Sequence, residues 1–292
     1  MRRKYSYLQR LTLLWTILAL LLGSFTAAAQ GRVSTRKYRL SDFTDKVTKV
    51  VLSGNEILSG ALREEVVACW TASAFEFCTL EQFEKLKTSD QYYFLLTAET
   101  QMKGEASPGL VFLTLVKGGA GAAEGIGEMD EVISLPLCAA PWGSTRELTY
   151  LGALVQAVQE FTLAAMESEK VAYSGTDWFN SNYKSFIRQK QVYLAQEDLA
   201  PSVDEQELKK YLDDDMHITD DAVADLVYLR NSYNTLVSYV VAPMEPGKGS
   251  FSYQLLIESG THTLYYISKH KITPDKGAGF LPEDLKRLAK KR

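Results

Sequence analysis

The sequence predicts an α/β fold, layered as α+β, in which two similar units each combine a mixed or antiparallel sheet with helices on one face. A strand–helix–strand–strand–strand pattern occurs at residues 75–137 and again at 216–268. The strands follow one another in meanders with few crossover helices, which argues against a doubly wound parallel sheet. A chain of 292 residues also has the length for one large or two small domains.

The first thirty residues have the pattern of a secretory signal peptide. Residues 2–4 and 10 are basic, residues 11–22 form an apolar run, and residues 27–29 supply small side chains for cleavage. The alternative is an uncleaved anchor, but an apolar run of about a dozen residues is short of the roughly twenty that span a bilayer. We therefore expect cleavage near Ala29 or Gln30, a periplasmic or secreted protein, and no integral membrane span after cleavage.

Charge narrows the range of partners. The full chain carries a net charge of −4, and removing the cations of the signal makes the mature chain more acidic. A polyanion repels such a surface, so we expect no nucleic acid partner. The basic residues between 286 and 292 are interpreted as a solvated helix end.

The three cysteines do not form a thioredoxin-type motif. Cys69, Cys78 and Cys138 show no C-x-x-C spacing and lie among apolar neighbours. We interpret them as buried small hydrophobes, and a Cys69–Cys78 disulfide in an oxidising compartment remains the alternative.

The expected domain plan places a signal peptide at 1–29, a flexible leader at 30–46, a first unit at 47–175 and a second at 176–292. In the first unit, an apolar stripe at three- and four-residue steps predicts a helix from Asn55 to Trp70. Thr79 to Gln82 has the form of a capping box, which predicts a short helix at 80–86. Runs rich in β-branched and aromatic residues predict strands, at 47–52, 75–78, 92–98, 110–116 and 132–137. The longest helix is predicted at 146–169, where apolar residues form a broad face.

In the second unit the same reasoning predicts a helix at 179–194, a break at 200–202 and a short helix at 205–212. Thr219 is expected to open the next helix, with Asp220 and Asp221 in its first turn, where carboxylates favour the macrodipole. Ser259-Gly260 is expected to turn a hairpin. The strands of this unit are predicted at 216–218, 236–242, 251–258 and 262–268, with a basic C-terminal helix after them.

The glycine-rich stretch at 117–127 resembles a nucleotide-binding loop, but its glycines do not have the spacing that such a loop requires. A dinucleotide fingerprint requires a third glycine where Glu124 stands and a helix after it, and no Gly-Lys-Ser/Thr is present. We interpret the stretch as a flexible hairpin connection and expect no cofactor.

Histidines and aspartates do not form a familiar reactive motif. His217 and His262 are placed in strands and His270 near a strand end, without helical metal-ligand spacing. The aspartates at 213–215, 220 and 221 lack the glycine and glutamate of an EF-hand loop. We expect no metal; a hydrolase assembled from His217, His262 and Asp215 remains the rival hypothesis.

Tyrosines are the candidate binding residues. Tyr92-Tyr93 and Tyr265-Tyr266 fall within predicted strands of the two units. Neighbouring strand residues point to opposite faces, so one tyrosine of each pair is expected at the surface, where it could contact peptide or glycan. The alternative is that these rings cover the rim of the core.

The second unit resembles a module of bacterial envelope proteins. A helix, the strand at 236–241, and the run 253–261 followed by Leu264-Tyr265 are similar to part of the α/β module of the TolB amino-terminal region and of the curli-assembly lipoprotein. In that family a strand with a "lid-x-x-tg-x-l" pattern turns back on its neighbour. The lipid-accepting cysteine and the propeller repeats are missing here, and the resemblance implies no catalytic residue. The Ala-Ala-Gln junction also resembles exported proteins of Bacteroidota.

From these observations we expect a periplasmic, non-enzymatic protein that binds envelope proteins or peptides. A hydrolase and a glycan-binding module are the alternatives.

Overall fold

The computed structural model describes residues 40–141, 145–181 and 190–289. The predicted signal peptide and most of the predicted leader lie outside the described residues. Ten strands form two five-stranded sheets. The strands are β1 (Val47–Leu52), β2 (Phe75–Thr79), β3 (Tyr92–Thr100), β4 (Leu110–Lys117), β5 (Asp130–Ala139), β6 (Gln191–Ala195), β7 (Met216–Thr219), β8 (Thr235–Val241), β9 (Phe251–Glu258) and β10 (Leu264–Lys271).

The two sheets have the same topology, which confirms the α/β fold of two similar units. The strand orders are β2-β1-β3-β4-β5 and β7-β6-β8-β9-β10. In each sheet the first strand of the unit pairs in parallel with the second and the third. The third, fourth and fifth strands then pair antiparallel. The repeat therefore begins one strand and one helix earlier than the sequence pattern indicated.

Seven helices are described in these ranges. They are α1 (Glu56–Cys69), α2 (Leu80–Leu86), α3 (Arg146–Glu167), α4 (Glu169–Ser174), α5 (Glu205–Tyr211), α6 (Asp221–Leu229) and α7 (Pro282–Ala289). The predicted capping box of α2 is present, with Thr79 and Gln82 exchanging side-chain to backbone bonds. Helix α6 is capped differently from the prediction, because Asp220 accepts from the Val223 N–H and Thr219 ends β7.

Two other predictions need correction. Of the helix predicted at 179–194, residues 182–189 lie outside the described ranges, and residues 191–194 belong to the strand β6, which lies between β7 and β8. His262 lies in the β9–β10 turn, with a φ of 57°, rather than in a strand. The predicted hairpin connection after β4 is present, since β4 and β5 pair antiparallel. It contains short 3₁₀ turns at Ala120–Glu124 and Ile126–Glu128.

Helices cover both faces of each sheet, whereas we expected one face. In the first unit, Val50 and its neighbour Val51 belong to different apolar clusters, because strand residues alternate between faces. The Val50 face packs against α1 and α3. The Val51 face packs against Phe83 of α2. In the second unit, α6 and α5 cover opposite faces in the same way.

The largest core is shared by the two units. It combines the α1 and α3 side of the first sheet with the α6 side of the second. Residues 40–46, which we assigned to the flexible leader, also contribute to it, since Leu40 and Phe43 are buried. Within the described ranges, no helix is both long and apolar enough to cross a membrane.

The cysteines form no disulfide. Cys78 and Cys138 are buried and Cys69 is partly buried, and all three thiols are free. They are small core residues, as the apolar neighbours of each one indicated.

Candidate functional site

A cavity of about 780 Å³ lies between the two units. Residues from β4 and β5 line one side, and residues from β9 and β10 line the other. Residues 173–177, at the end of α4 and the start of a 3₁₀ helix (Gly175–Phe179), border both. We call this cavity the cleft. Its volume falls within the range of roughly 300–1,000 Å³ that ligand sites occupy.

One side of the cleft is the edge of the first sheet. β5 is a terminal strand of that sheet, and its consecutive residues Glu131 to Ser134 all line the cleft. Side chains of a strand alternate between faces, so four consecutive residues reach one cavity only where the backbone edge borders it. Pro136 follows in the same strand, as is typical of an edge.

The pairing of β5 shows which backbone groups face the cleft. Pro136 lies opposite Phe112 and cannot donate to β4, so this pair is of the non-hydrogen-bonded kind. The next pair but one along the same unbroken register is Thr114 opposite Ser134. Because the two kinds of pair alternate, this pair is also of the non-hydrogen-bonded kind. The hydroxyl oxygens of Thr114 and Ser134 are 3.0 Å apart. The N–H and C=O of Ser134 therefore point away from β4, towards the cleft.

The other side of the cleft contains the edge of the second sheet. Ile267, Ser268 and Lys269 of the terminal strand β10 line it. The Asn180 amide donates to the Ile267 carbonyl oxygen and its oxygen accepts from the Ile267 N–H, both at 3.0 Å. This side chain satisfies the outward backbone groups of Ile267 as a neighbouring strand would. Lys269, two residues further on, directs its N–H and C=O outward in the same way.

An aromatic contact joins the two units beside these edges. The rings of Phe112 and Tyr253 meet edge to face with their centroids 5.5 Å apart. Burial, followed by the negative charges of Glu131 and Glu105, raises the pKa of Tyr253 to about 12. The cleft thus has an apolar wall within reach of acidic groups.

Glu131 is the carboxyl group of the β5 edge. Burial raises its pKa, and a hydrogen bond with Ser134 opposes that rise only in part. Among the described residues, no lysine or arginine lies within ion-pairing distance of it. A carboxylate in this setting has lost water without gaining a cation.

Loops from the two units meet next to the cleft at Met102. A Cβ on Gly104 would lie 2.2 Å from the Lys248 carbonyl oxygen, and Gly249 approaches Lys103 in the same way. Both glycines have positive φ, so other residues are disfavoured at these positions. Nearby, the Ser250 hydroxyl donates to Glu105 at 2.5 Å.

The tyrosines predicted as binding residues lie outside the cleft. Tyr93 is buried and donates to Asp42 at 2.7 Å. Although burial opposes ionisation, hydrogen bonds from nearby lysines lower the pKa of Asp42 to about 2. Tyr266 is buried and donates to Asp284 at 2.8 Å.

Their neighbours Tyr92 and Tyr265 are partly exposed. The Lys49 ammonium lies 4.8 Å from the Tyr92 ring centroid, and the Lys190 ammonium lies 4.6 Å from that of Tyr265. Ligand binding by these four residues stays a prediction.

The histidines of the rival hypothesis occupy different environments. His217 contacts Gln191, whose amide donates to Asp215 at 2.7 Å. His262 instead contacts the Tyr228 hydroxyl on α6, and burial lowers its pKa. His217 and Asp215 are therefore linked through one glutamine, whereas His262 belongs to a separate contact.

Sequence reasoning missed Glu131, Ser134 and Tyr253. Glu131 and Ser134 lie on β5 and Tyr253 lies on β9, which is distant in sequence, so only the arrangement of the two sheets brings them together. One signal was available, since a proline at 136 inside a predicted strand indicates a sheet edge.

The resemblance of the second unit to the TolB and curli-assembly module stays a prediction, because comparisons with protein-family models, with curated proteins and with solved structures found no match.

Proposed function

We propose that this is an exported binding protein that acts without catalysis and holds an extended peptide segment of an envelope protein in the cleft. The observation that carries the proposal is that terminal strands of both sheets border one cavity with their backbone edges. An extended peptide adds to such an edge through main-chain hydrogen bonds, and nearby pockets take alternate side chains.

The backbone groups needed for strand addition are available on both sides. Ser134 on β5 and Lys269 on β10 direct their N–H and C=O groups away from their own sheets. At Ile267 the edge is already satisfied by Asn180, which limits the site to the part of β10 beyond it. A segment of about four residues would match the length of β5 that lines the cleft.

The experiment uses the mature chain and a fluorescent heptapeptide of alternating threonine and valine with glutamine at its centre. We expect saturable binding by fluorescence anisotropy. The same peptide with every backbone amide N-methylated should bind at least about tenfold more weakly, because it cannot donate main-chain hydrogen bonds. Equal binding of the two peptides, or no binding of either, would overturn the proposal, and cleavage of the peptide would favour the hydrolase instead.

Two variants at one position separate the backbone from the side chain. Ser134→Pro removes the N–H that faces the cleft, and β5 already contains a proline two residues further on. We expect about tenfold weaker binding of the unmethylated peptide. Ser134→Ala removes the hydroxyl group and keeps the N–H, so its affinity should stay within about twofold of the wild type.

A further inference from the structure

We infer that the cleft selects a segment carrying lysine or arginine, whose cation pairs with Glu131. This inference rests on the proposed function and adds the chemistry of the ligand.

Glu131 forms no ion pair with any lysine or arginine in the part of the chain that the structure describes. It lines the cleft and its hydrogen bond comes from the neutral Ser134. A carboxylate withdrawn from water is stabilised by an opposite charge within about 4–6 Å. A ligand cation is the group that would supply it, since no described lysine or arginine does.

The other charges near the cleft favour a positive ligand. Asp177 also lines it, and Glu105 lies close enough to affect the pKa of Tyr253. The basic residue of the cleft, Lys269, is exposed, and its ammonium lies 5.7 Å from the Phe251 ring centroid. This ammonium group therefore contacts an aromatic ring on the neighbouring strand. The acidic residues Glu131, Asp177 and Glu105 outnumber it, so the charge near the cleft is negative.

The apolar wall suits the stem of a basic side chain. Lysine and arginine place their methylene groups on apolar surface while the charged end reaches a polar partner. Phe112 and Tyr253 provide such a surface next to Glu131. Aromatic rings also attract cations, so wall and carboxylate favour the same side chain.

The test compares three heptapeptides that differ only at the centre, which is lysine, glutamine or glutamate. At pH 7.5 and low ionic strength we expect the lysine peptide to bind the wild-type mature chain about tenfold more tightly than the glutamine peptide. The glutamate peptide should bind most weakly. Glu131→Gln should lower the affinity for the lysine peptide to that for the glutamine peptide. The affinity for the glutamine peptide itself should change by less than about twofold.

Two further variants serve as controls. Glu124→Gln removes the same charge from an exposed site in the β4–β5 connection and should leave the preference for lysine intact. Glu131→Asp keeps the charge on a shorter side chain and should retain part of the preference.

The possible failures are distinct. Binding of the glutamine peptide without a preference for lysine overturns this inference and leaves the proposed function standing. A preference that survives Glu131→Gln also overturns it. If no peptide binds the wild type, the inference falls together with the proposed function.

Discussion

Two lysine–glutamate pairs of nearly equal length differ sharply in burial. Lys190 and Glu258 are 2.6 Å apart, with side chains 5% and 4% exposed. Lys49 and Glu76 are 2.5 Å apart, but the Glu76 side chain is 62% exposed. Removing one partner of a buried pair leaves an uncompensated charge, whereas an exposed charge regains water.

We therefore expect Glu258→Gln to lower the free energy of unfolding by about 3 kcal/mol. The matched control Glu76→Gln should lower it by at most about 1 kcal/mol. Urea unfolding of each variant at pH 7 measures both values. Equal losses in the two variants would show that burial of the pair does not determine its contribution.

The pH dependence gives a second readout of the same pair. Burial opposes the ionisation of Glu258, but hydrogen bonds from Lys190, Thr261 and the Asn234 N–H hold its pKa below the usual value. A lowered pKa in the folded state adds stability above the unfolded pKa, and this is lost as pH falls through the folded value. The difference between wild type and Glu258→Gln should therefore shrink in acid, and a constant difference would contradict this.

At the scale of elements, the two corresponding helices α2 and α6 begin with different caps. Thr79 caps α2 and Asp220 caps α6. Thr79→Ala and Asp220→Ala should each lower the free energy of unfolding by about 1 kcal/mol, because each leaves a helical N–H without its acceptor. Thermal or urea unfolding measures the effect.

Thr219→Ala is the control for this prediction. Thr219 ends β7 and makes no cap, so its replacement should cost less than about 0.5 kcal/mol. A larger loss of stability in Thr219→Ala than in Asp220→Ala would show that Thr219 caps the helix, as the sequence pattern indicated.

Elements with long periodic patterns were predictable. The apolar stripes of α1 and α3 and the β-branched runs of β3 and β4 lie where the sequence placed them. β6 was not predictable, because a strand of five residues is too short to show a period that separates a strand from a helix. Its conformation depends on β7 and β8, which pair with it from both sides.

The cleft could not be predicted in the same way. Glu131 and Tyr253 are ordinary residues within their own strands, and nothing in the local pattern relates them. They become a candidate site only because the β5 edge lies beside the face and edge of the second sheet. That relation is set by packing between units, which short-range patterns do not describe.

At the scale of the whole molecule, the two units pack head to tail. α1 and α5 occupy the same place in the repeat, as do α2 and α6. The shared core nevertheless contains α1 from the first unit and α6 from the second. The units therefore meet through different faces, which is the heterologous kind of contact.

A buried charge cluster crosses this contact. Arg146, at the start of α3, donates to Asp198 at 2.8 Å and to Asp225 at 3.0 Å. The Asp198 side chain is 3% exposed. The Tyr239 hydroxyl from β8 also donates to the Leu137 carbonyl oxygen of β5, at 2.5 Å. Both units are thus needed to satisfy groups that neither could bury alone.

We expect Arg146→Met to lower the free energy of unfolding of the whole chain by about 3–5 kcal/mol, because it leaves Asp198 buried without its cation. Since one core serves both units, amide hydrogen exchange at Leu95 in β3 and at Leu255 in β9 should lose protection by the same amount. The control Arg63→Met, an exposed residue 4.2 Å from the Phe77 ring within the first unit, should change both sites little. Loss of protection confined to β9 would mean that the units unfold independently, and the shared core would then not couple them.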